Sequence, residues 1–183
     1  MYDILNQFFK IMSEELNEFT DISPYTDAEA VEALGKLADH PAVVEVSKAI
    51  FPDKEPEFLR KILKSVKSID EFQILVMNKA VEWVLSTTAH NFSYDGIGNL
   101  KKINGKFLAM SNHRDIILDP AITQVVLYRN AIPMTEIAVG SNLLTNKYIE
   151  YLIRSNRMIK VIRGINARQL YLSSQVLSKY IRE

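Results

Sequence analysis

The chain has 183 residues, with 22 Lys and Arg balanced by 22 Asp and Glu, so its formal net charge is zero. This balance argues against a dedicated nucleic-acid-binding protein, because such proteins carry a marked basic excess. Cysteine is absent, which excludes disulfides, thiolate catalysis and cysteine metal sites and suits a cytoplasmic protein.

Residues 1–88 have the spacing of apolar side chains that is typical of helices, and no segment of them resembles a strand. Thr26 with Glu29, and Ser68 with Glu71, have the spacing of capping boxes, in which each side chain bonds the backbone of the other residue. We therefore predict an all-helical N-terminal domain over residues 1–88. The predicted helices cover 2–18, the residues after Thr26, 42–50, the residues from Pro56 to 66, and a long helix after Ser68.

From residue 89 the pattern alternates between short apolar runs and helix-like segments. The runs at 106–110, 135–140 and 158–162 predict strands. The helix-like segments follow Asp119, follow Thr145 and cover 166–182. Alternation of this kind is typical of an α/β domain with a mostly parallel sheet, which we predict for residues 89–183. Three strands leave unprotected sheet edges, so we expect this α/β domain to be incomplete at its C-terminus.

His113 lies between the first predicted strand and the helix that follows, and two carboxylates, Asp115 and Asp119, come directly after it. Histidine exchanges a proton near neutral pH, and a neighbouring carboxylate can orient its ring. Successive residues of a regular helix are rotated by about 100°, so neither aspartate can meet the histidine inside one. A turn is therefore required. Asp119, which precedes Pro120, also suits a helix N-cap as an alternative role.

Three blocks in this half resemble the glycerolipid acyltransferases. Residues 111–121 are similar to the first motif of that family, a histidine and an aspartate separated by four residues; here five residues separate His113 from Asp119. Residues 137–143 resemble the Ile-Ala-Ala-Gly-x-Asn-Leu block of the glycerol-3-phosphate branch. Residues 161–163 resemble the following block, which ends in Ile-Arg. The later Glu-Gly-x-Arg-Ser-type block of the family is absent from the chain.

The resemblance implies transfer of a fatty acyl group from a thioester to a hydroxyl of glycerol-3-phosphate or a lysophospholipid-like acceptor. His113 would be the general base, with Asp119 favoured over Asp115 as its partner because Asp119-Pro120-Ala121 aligns with the family. Acyl-CoA or acyl carrier protein would be the co-substrate. No separate cofactor, metal ion or nucleic acid is expected. The protein would be cytoplasmic, with peripheral membrane contact as an option. The expected substrate-binding residues are Arg114, Gly140, Asn142 and Arg163.

The substrate-binding candidates also have a physical basis of their own. Arg163 follows a predicted strand, and the carboxyl ends of parallel strands face the crevice where α/β proteins bind ligands. A guanidinium there can hold a phosphate with two hydrogen bonds. Gly140 allows either a close approach of the backbone or a positive φ angle. A different class of function also fits the sequence, namely a non-catalytic helical interaction or regulatory fragment that retains remnants of the acyltransferase motifs.

Overall fold

The structure is a computed structural model that describes residues 18–112, 114–164 and 166–183. The described residues are mostly helical and contain a two-stranded parallel sheet. The elements are, in chain order, α1 (Asp27–Ala38), α2 (Ala42–Ile50), α3 (Phe58–Ser65), α4 (Ile69–Phe72), a π-helical segment (Gln73–Met77), α5 (Asn78–Thr88), α6 (Ile97–Leu100), α7 (Leu118–Arg129), β1 (Ile137–Gly140), a 3-10 turn (Ser141–Leu143), α8 (Lys147–Arg154), β2 (Met158–Val161) and α9 (Ala167–Arg182).

Helix α1 begins with the predicted capping box. The Thr26 hydroxyl accepts the backbone N–H of Glu29, and the Glu29 carboxylate accepts the backbone N–H of Thr26 at 2.8 Å. Ser68 caps α4 as predicted, but the predicted hydrogen bond from the Ser68 backbone to the Glu71 carboxylate is wrong. The Glu71 carboxylate accepts the backbone N–H of Lys67 instead, one residue before the expected donor.

Three further predictions can be compared with the described elements. The prediction for 42–50 is confirmed by α2. The predicted helix over 2–18 lies outside the described residues except for its last position. The predicted N-cap at Thr145 is wrong by one residue. Asn146 holds the N-terminus of α8, because its side chain accepts the backbone N–H groups of Tyr148 and Ile149.

The long helix that was predicted after Ser68 is interrupted by the π-helical segment. A π-turn accommodates one extra residue within a helix and changes which side chains face inward. Gln73, the first residue of this segment, is almost fully buried. The predicted helix therefore exists, but with an irregular turn that brings a polar side chain into the interior.

The hydrophobic core of the first half joins α1, α2, α3, α4 and the π-helical segment. Helix α1 packs on α3, and α3 packs on α2. Burying apolar side chains of this size against each other is the dominant favourable term in folding. The buried members of this cluster are Leu34, Ala38, Val43, Leu59, Leu63, Val66, Phe72 and Val76.

The sheet consists of β1 and β2, which pair in parallel, with Ile137 opposite Met158 and Gly140 opposite Val161. The predicted strand over 106–110 is wrong: this run has no strand partner, and its side chains are exposed, Leu108 by 66% and Met110 by 87%. A short apolar run does not by itself distinguish a buried strand from an exposed loop. The α/β prediction is thus correct in its coarse form, with two strands described in place of three.

Residues of the predicted helical domain and of the α/β part are joined directly. The carbonyl of Ile22 accepts the backbone N–H of Lys160 in β2 at 2.8 Å. The guanidinium of Arg154 in α8 donates to the carbonyl of Ser23 and stacks on the ring of Tyr25, 4.3 Å from its centroid. Helix α1 also packs against α8, and α5 against α7.

A polar network crosses the same boundary at Gln73. Its side-chain amide donates to Asn156 Oδ1 at 3.1 Å and accepts from Arg157 Nε at 2.9 Å. The Arg157 guanidinium also donates to Asp70 at 2.6 Å. Arg157 has a left-handed backbone, with φ of 55°, and its carbonyl accepts the N–H of Ile137 at the start of β1. The network therefore connects α4 and the π-helical segment to the beginning of the sheet.

Within the described ranges, no helix combines the length and the apolar character that a bilayer crossing requires.

Replacing Glu29 by glutamine tests the capping box through its pH dependence. Hydrogen bonds from the Thr26 backbone, and then from its hydroxyl, hold the pKa of Glu29 below its ordinary value. A depressed folded-state pKa adds stability that is complete above the unfolded pKa, about 4.3, and is lost as the pH falls through the folded value. The stability difference between wild type and Glu29→Gln in urea unfolding should therefore be constant near neutral pH and shrink in acid. Asp53→Asn, an exposed carboxylate change, is the control. A difference that does not vary with pH would contradict this prediction.

Replacing Gln73 by leucine tests the buried network. The variant leaves the buried Asn156 without its donor, and a loss of this kind costs about 1–3 kcal/mol. The partly exposed Arg157 Nε also loses its acceptor. Urea unfolding should show a clear loss in free energy of unfolding. Gln169→Leu makes the same chemical change at an exposed position of α9 and should have little effect. Equal stabilities of the two variants would show that the network contributes nothing.

Candidate functional site

His113, the predicted base, lies outside the described residues. The geometry of the candidate site is therefore built from the residues that follow it in the chain. These residues form a tight turn that leads into α7, and both aspartates of the motif belong to this turn.

The Asp119 carboxylate closes the turn. Its Oδ2 accepts the backbone N–H of Arg114 at 2.6 Å and that of Asp115 at 3.0 Å. Asp119 lies in the first turn of α7, and helical side chains lean towards the helix N-terminus, which directs this carboxylate back along the chain. The next residue, Pro120, has no N–H to satisfy, so it fits this first turn without loss.

Asp115, not Asp119, holds the N-terminus of α7. Its Oδ1 accepts the backbone N–H groups of Ile117 at 2.8 Å and Leu118 at 2.7 Å. The first N–H groups of a helix have no partner within the helix, and a short acidic side chain just before it supplies one. The alternative role of Asp119 as the N-cap is therefore wrong. The two carboxylates therefore have different roles. Asp115 caps α7, and Asp119 accepts hydrogen bonds from the backbone of Arg114 and Asp115.

A second cluster forms where β1 and β2 end. A methyl group on Gly140 would lie 2.5 Å from Asn142 Oδ1 and 3.1 Å from Arg163 Nε, so both side chains lie over the glycine. The backbone φ of Gly140 is −66°, which any residue adopts. Of the two roles expected for this glycine, the structure has the close approach and not the positive φ.

Ser141 is a member of this cluster that the sequence did not single out. Its Oγ accepts the backbone N–H of Arg163 at 2.9 Å and so joins the segments that follow the two strands. Asn142 and Arg163 are exposed to solvent. The sequence placed Ser141 between Gly140 and Asn142, two expected site residues. This position alone did not indicate a hydrogen bond to the segment after β2, because a serine in a turn often bonds only its own neighbours.

A buried glutamine connects the helix of the turn to the strand of the cluster. The side-chain oxygen of Gln124 in α7 accepts the N–H of Thr135, two residues before β1, at 2.8 Å, and its amide donates to the Thr135 hydroxyl at 3.0 Å. Sequence reasoning missed this pair. The predicted site residues thus form two groups on linked elements, with no hydrogen bond between the groups among the described residues.

Two cavities lined by described residues lie away from the predicted site residues. The larger, of about 560 Å³, is a groove along α9 that includes Glu18 and Lys179. The smaller, of about 50 Å³, lies between β2 and α9. No predicted site residue lines either of them. Within the described ranges, no group of three or more histidine, aspartate or glutamate residues has the arrangement of a metal site.

Comparison of the chain with known protein families, with curated proteins and with solved structures finds no match in any of the three. The relationship to glycerolipid acyltransferases therefore stays a prediction that rests on the three sequence blocks.

Replacing Gly140 by alanine tests the close packing of the second cluster. The added methyl displaces the Asn142 amide and the Arg163 guanidinium, but both are flexible side chains, so the stability should change by less than about 1 kcal/mol. We expect the side-chain NMR signals of Asn142 and the Nε–H signal of Arg163 to shift. Gly98→Ala, at a position with nothing within 4 Å, is the control and should shift neither. Unchanged signals in Gly140→Ala would show that the cluster does not form.

Proposed function

We propose that the chain is an acyltransferase of the glycerolipid type, in which His113 is the general base. The reaction would transfer a fatty acyl group from acyl-CoA or acyl carrier protein to a hydroxyl of a glycerol-3-phosphate or lysophospholipid-like acceptor. We place this activity in the cytoplasm, with peripheral contact to a membrane. The three sequence blocks in family order support the proposal, and the turn that contains Asp119 is the structural observation that carries it.

The turn supports the proposal because the motif requires a bend between its histidine and its aspartate. The Asp119 carboxylate bonds the backbone N–H of Arg114, the residue that follows His113 in the chain. It uses only Oδ2 for both backbone bonds, and a carboxylate has two oxygens that accept hydrogen bonds. We propose that Oδ1 accepts the imidazole N–H and orients the ring. Asp115, which caps α7 through its Oδ1, is the alternative partner.

In the proposed reaction, the His113 imidazole removes the proton of the acceptor hydroxyl as the oxygen attacks the thioester carbonyl. The new C–O bond forms while the C–S bond breaks. The thiolate leaves and takes the proton back from the imidazolium. The products are an ester and a free thiol, so atoms and charges balance. The arrangement resembles the histidine–carboxylate half of a serine hydrolase, with the acceptor hydroxyl in the place of the serine.

The second cluster would hold the acceptor phosphate. Ligands of parallel α/β proteins bind at the carboxyl ends of the strands, and Gly140 and Arg163 are located there. A guanidinium binds phosphate with two parallel hydrogen bonds, and the Asn142 amide adds a neutral donor. Gly140 has no side chain, so the Asn142 and Arg163 side chains can lie directly over its backbone. Arg114, exposed in the turn, is the further candidate for phosphate contact.

The runner-up is a non-catalytic helical interaction or regulatory fragment. One observation favours it: Asn142 and Arg163 lie on an open surface, and no predicted site residue lines either cavity. A binding module needs no water-excluding pocket, whereas an acyltransferase benefits from one.

The proposal is tested by thiol release from acyl-CoA in the presence of glycerol-3-phosphate or a lysophospholipid. His113→Ala should lower the rate by about 10²–10⁴-fold, which is the usual contribution of a general base. Asp119→Asn keeps an oxygen that accepts backbone hydrogen bonds but loses the charge, so it should also lower the rate strongly with little loss of stability. Asp115→Asn is the matched control and should retain more activity.

Two outcomes would decide against parts of the proposal. Equal thiol release by the wild type and His113→Ala would exclude catalysis by this residue and favour the interaction fragment. A larger loss in Asp115→Asn than in Asp119→Asn would assign the partner role to Asp115.

A further inference from the structure

The stretch from 101 to 117 exposes several large apolar side chains to solvent. All of its described residues are exposed to solvent. Soluble proteins rarely expose large apolar side chains in a contiguous group unless the group binds something. The large apolar side chains of this stretch are Ile103, Phe107, Leu108, Met110, Ile116 and Ile117.

The same stretch is basic. It contains four cationic residues and a single acidic one, Asp115. One oxygen of the Asp115 carboxylate accepts the backbone N–H of Ile117 and that of Leu118, the first residue of α7. The surrounding chain is electrically neutral overall, so this local excess of positive charge is not a consequence of composition. The cationic residues are Lys101, Lys102, Lys106 and Arg114.

We propose that the stretch 101–117, as far as the structure describes it, is a membrane-docking surface for bilayers that contain anionic phospholipid. Apolar side chains together with lysine and arginine are the combination that binds the interface of such bilayers. The opposite charge of the lipid headgroups complements Lys101, Lys102 and Arg114, whereas the Lys106 ammonium donates to the backbone oxygen of Glu183. The apolar side chains enter the boundary between headgroups and acyl chains.

An open surface favours a bilayer over a protein partner. The groove along α9 and the small cavity between β2 and α9 include no part of this stretch. Protein interfaces place their anchoring side chains in shaped pockets, whereas fluid lipid adapts to the side chains that enter it. Gly105, with φ of 106°, makes a sharp turn within the stretch and separates the two lysines 101 and 102 from the most exposed apolar residues.

This surface includes the turn that is proposed to carry the chemistry, since Arg114 and Asp115 belong to both. Docking would bring the turn to an acceptor that lies in the membrane, and this role of the surface rests on the proposed function. Binding to vesicles is measurable without any acyl transfer, so the two proposals can fail separately.

The test is flotation of the full chain with two kinds of vesicle, phosphatidylcholine alone and phosphatidylcholine mixed with phosphatidylglycerol. We expect binding to the mixed vesicles, and weaker binding at high salt because ions screen the charges. The double variant Leu108→Ser with Met110→Ser should bind about tenfold more weakly, and so should Lys101→Gln with Lys102→Gln. All four side chains are exposed, so the folded state should be retained, as circular dichroism will check.

Matched control variants make the same chemical changes on other surfaces. Tyr171→Ser with Leu172→Ser removes exposed apolar side chains of α9, and Lys61→Gln with Lys64→Gln removes two positive charges from α3. Both should bind vesicles like the wild type.

Three results would overturn the docking surface: no binding of the wild type to the mixed vesicles, an equal loss in the control variants, or binding to an acidic carrier protein without binding to vesicles. If the wild type binds the mixed vesicles but transfers no acyl group, the docking surface stands and the proposed enzyme activity fails. If the chain transfers acyl groups to a water-soluble acceptor but does not bind vesicles, the proposed enzyme activity stands and the docking surface fails.

Discussion

The hydrogen bonds of Gln73 are the constraint on which the arrangement of the two halves depends. A buried amide must satisfy both its donor and its acceptor, because an unpaired polar group in the interior costs as much as several apolar contacts contribute. Among the described residues, Gln73 meets this requirement through Asn156 and Arg157, more than 80 positions away in the chain. Gln73 is the first residue of the π-helical segment, and Arg157 has a left-handed backbone. The Arg157 guanidinium bonds Gln73 and Asp70, whereas its carbonyl bonds Ile137 at the start of β1. The polar network and the start of the sheet are therefore fixed together.

The register of the sheet determines which residues meet at the candidate site. Because Gly140 is opposite Val161, the residue two positions beyond Val161 arrives next to the glycine, and the Arg163 side chain lies across it. Ser141 then bonds the Arg163 backbone. Two sequence blocks that are separated by about twenty positions thus meet for a simple reason, namely that parallel strands in register end at the same edge. A shift by one residue would turn every side chain of β2 to the opposite face and separate the pair.

The features that could be predicted from the sequence are those whose partners are near in the chain. The Thr26 capping box, the bounds of α2 and the two strands are local patterns, and the structure has them. The run 106–110 was predicted as a strand because short apolar runs look alike whether they are buried or exposed. Gln73 and Gln124 gave no signal, since a glutamine inside a helical pattern does not indicate which distant group it will bond. At the candidate site the sequence pointed to the turn and the glycine cluster, but the division of roles between Asp115 and Asp119 required coordinates.

That division of roles has a consequence for how the turn can work. Gln124 joins the middle of α7 to the segment before β1, whereas Asp115 caps the start of this helix from within the adjacent turn. Asp119 belongs to the same helix, and its carboxylate accepts the backbone N–H groups of Arg114 and Asp115. A side chain that must orient an imidazole needs a fixed position, because small displacements weaken a hydrogen bond steeply. Asp115 occupies the loop that Asp119 closes, and it depends on that closure for its own position. Under the proposed function, the position of Asp119 on α7 favours it over Asp115 as the residue that orients the imidazole, because Asp119 closes the loop to which Asp115 belongs.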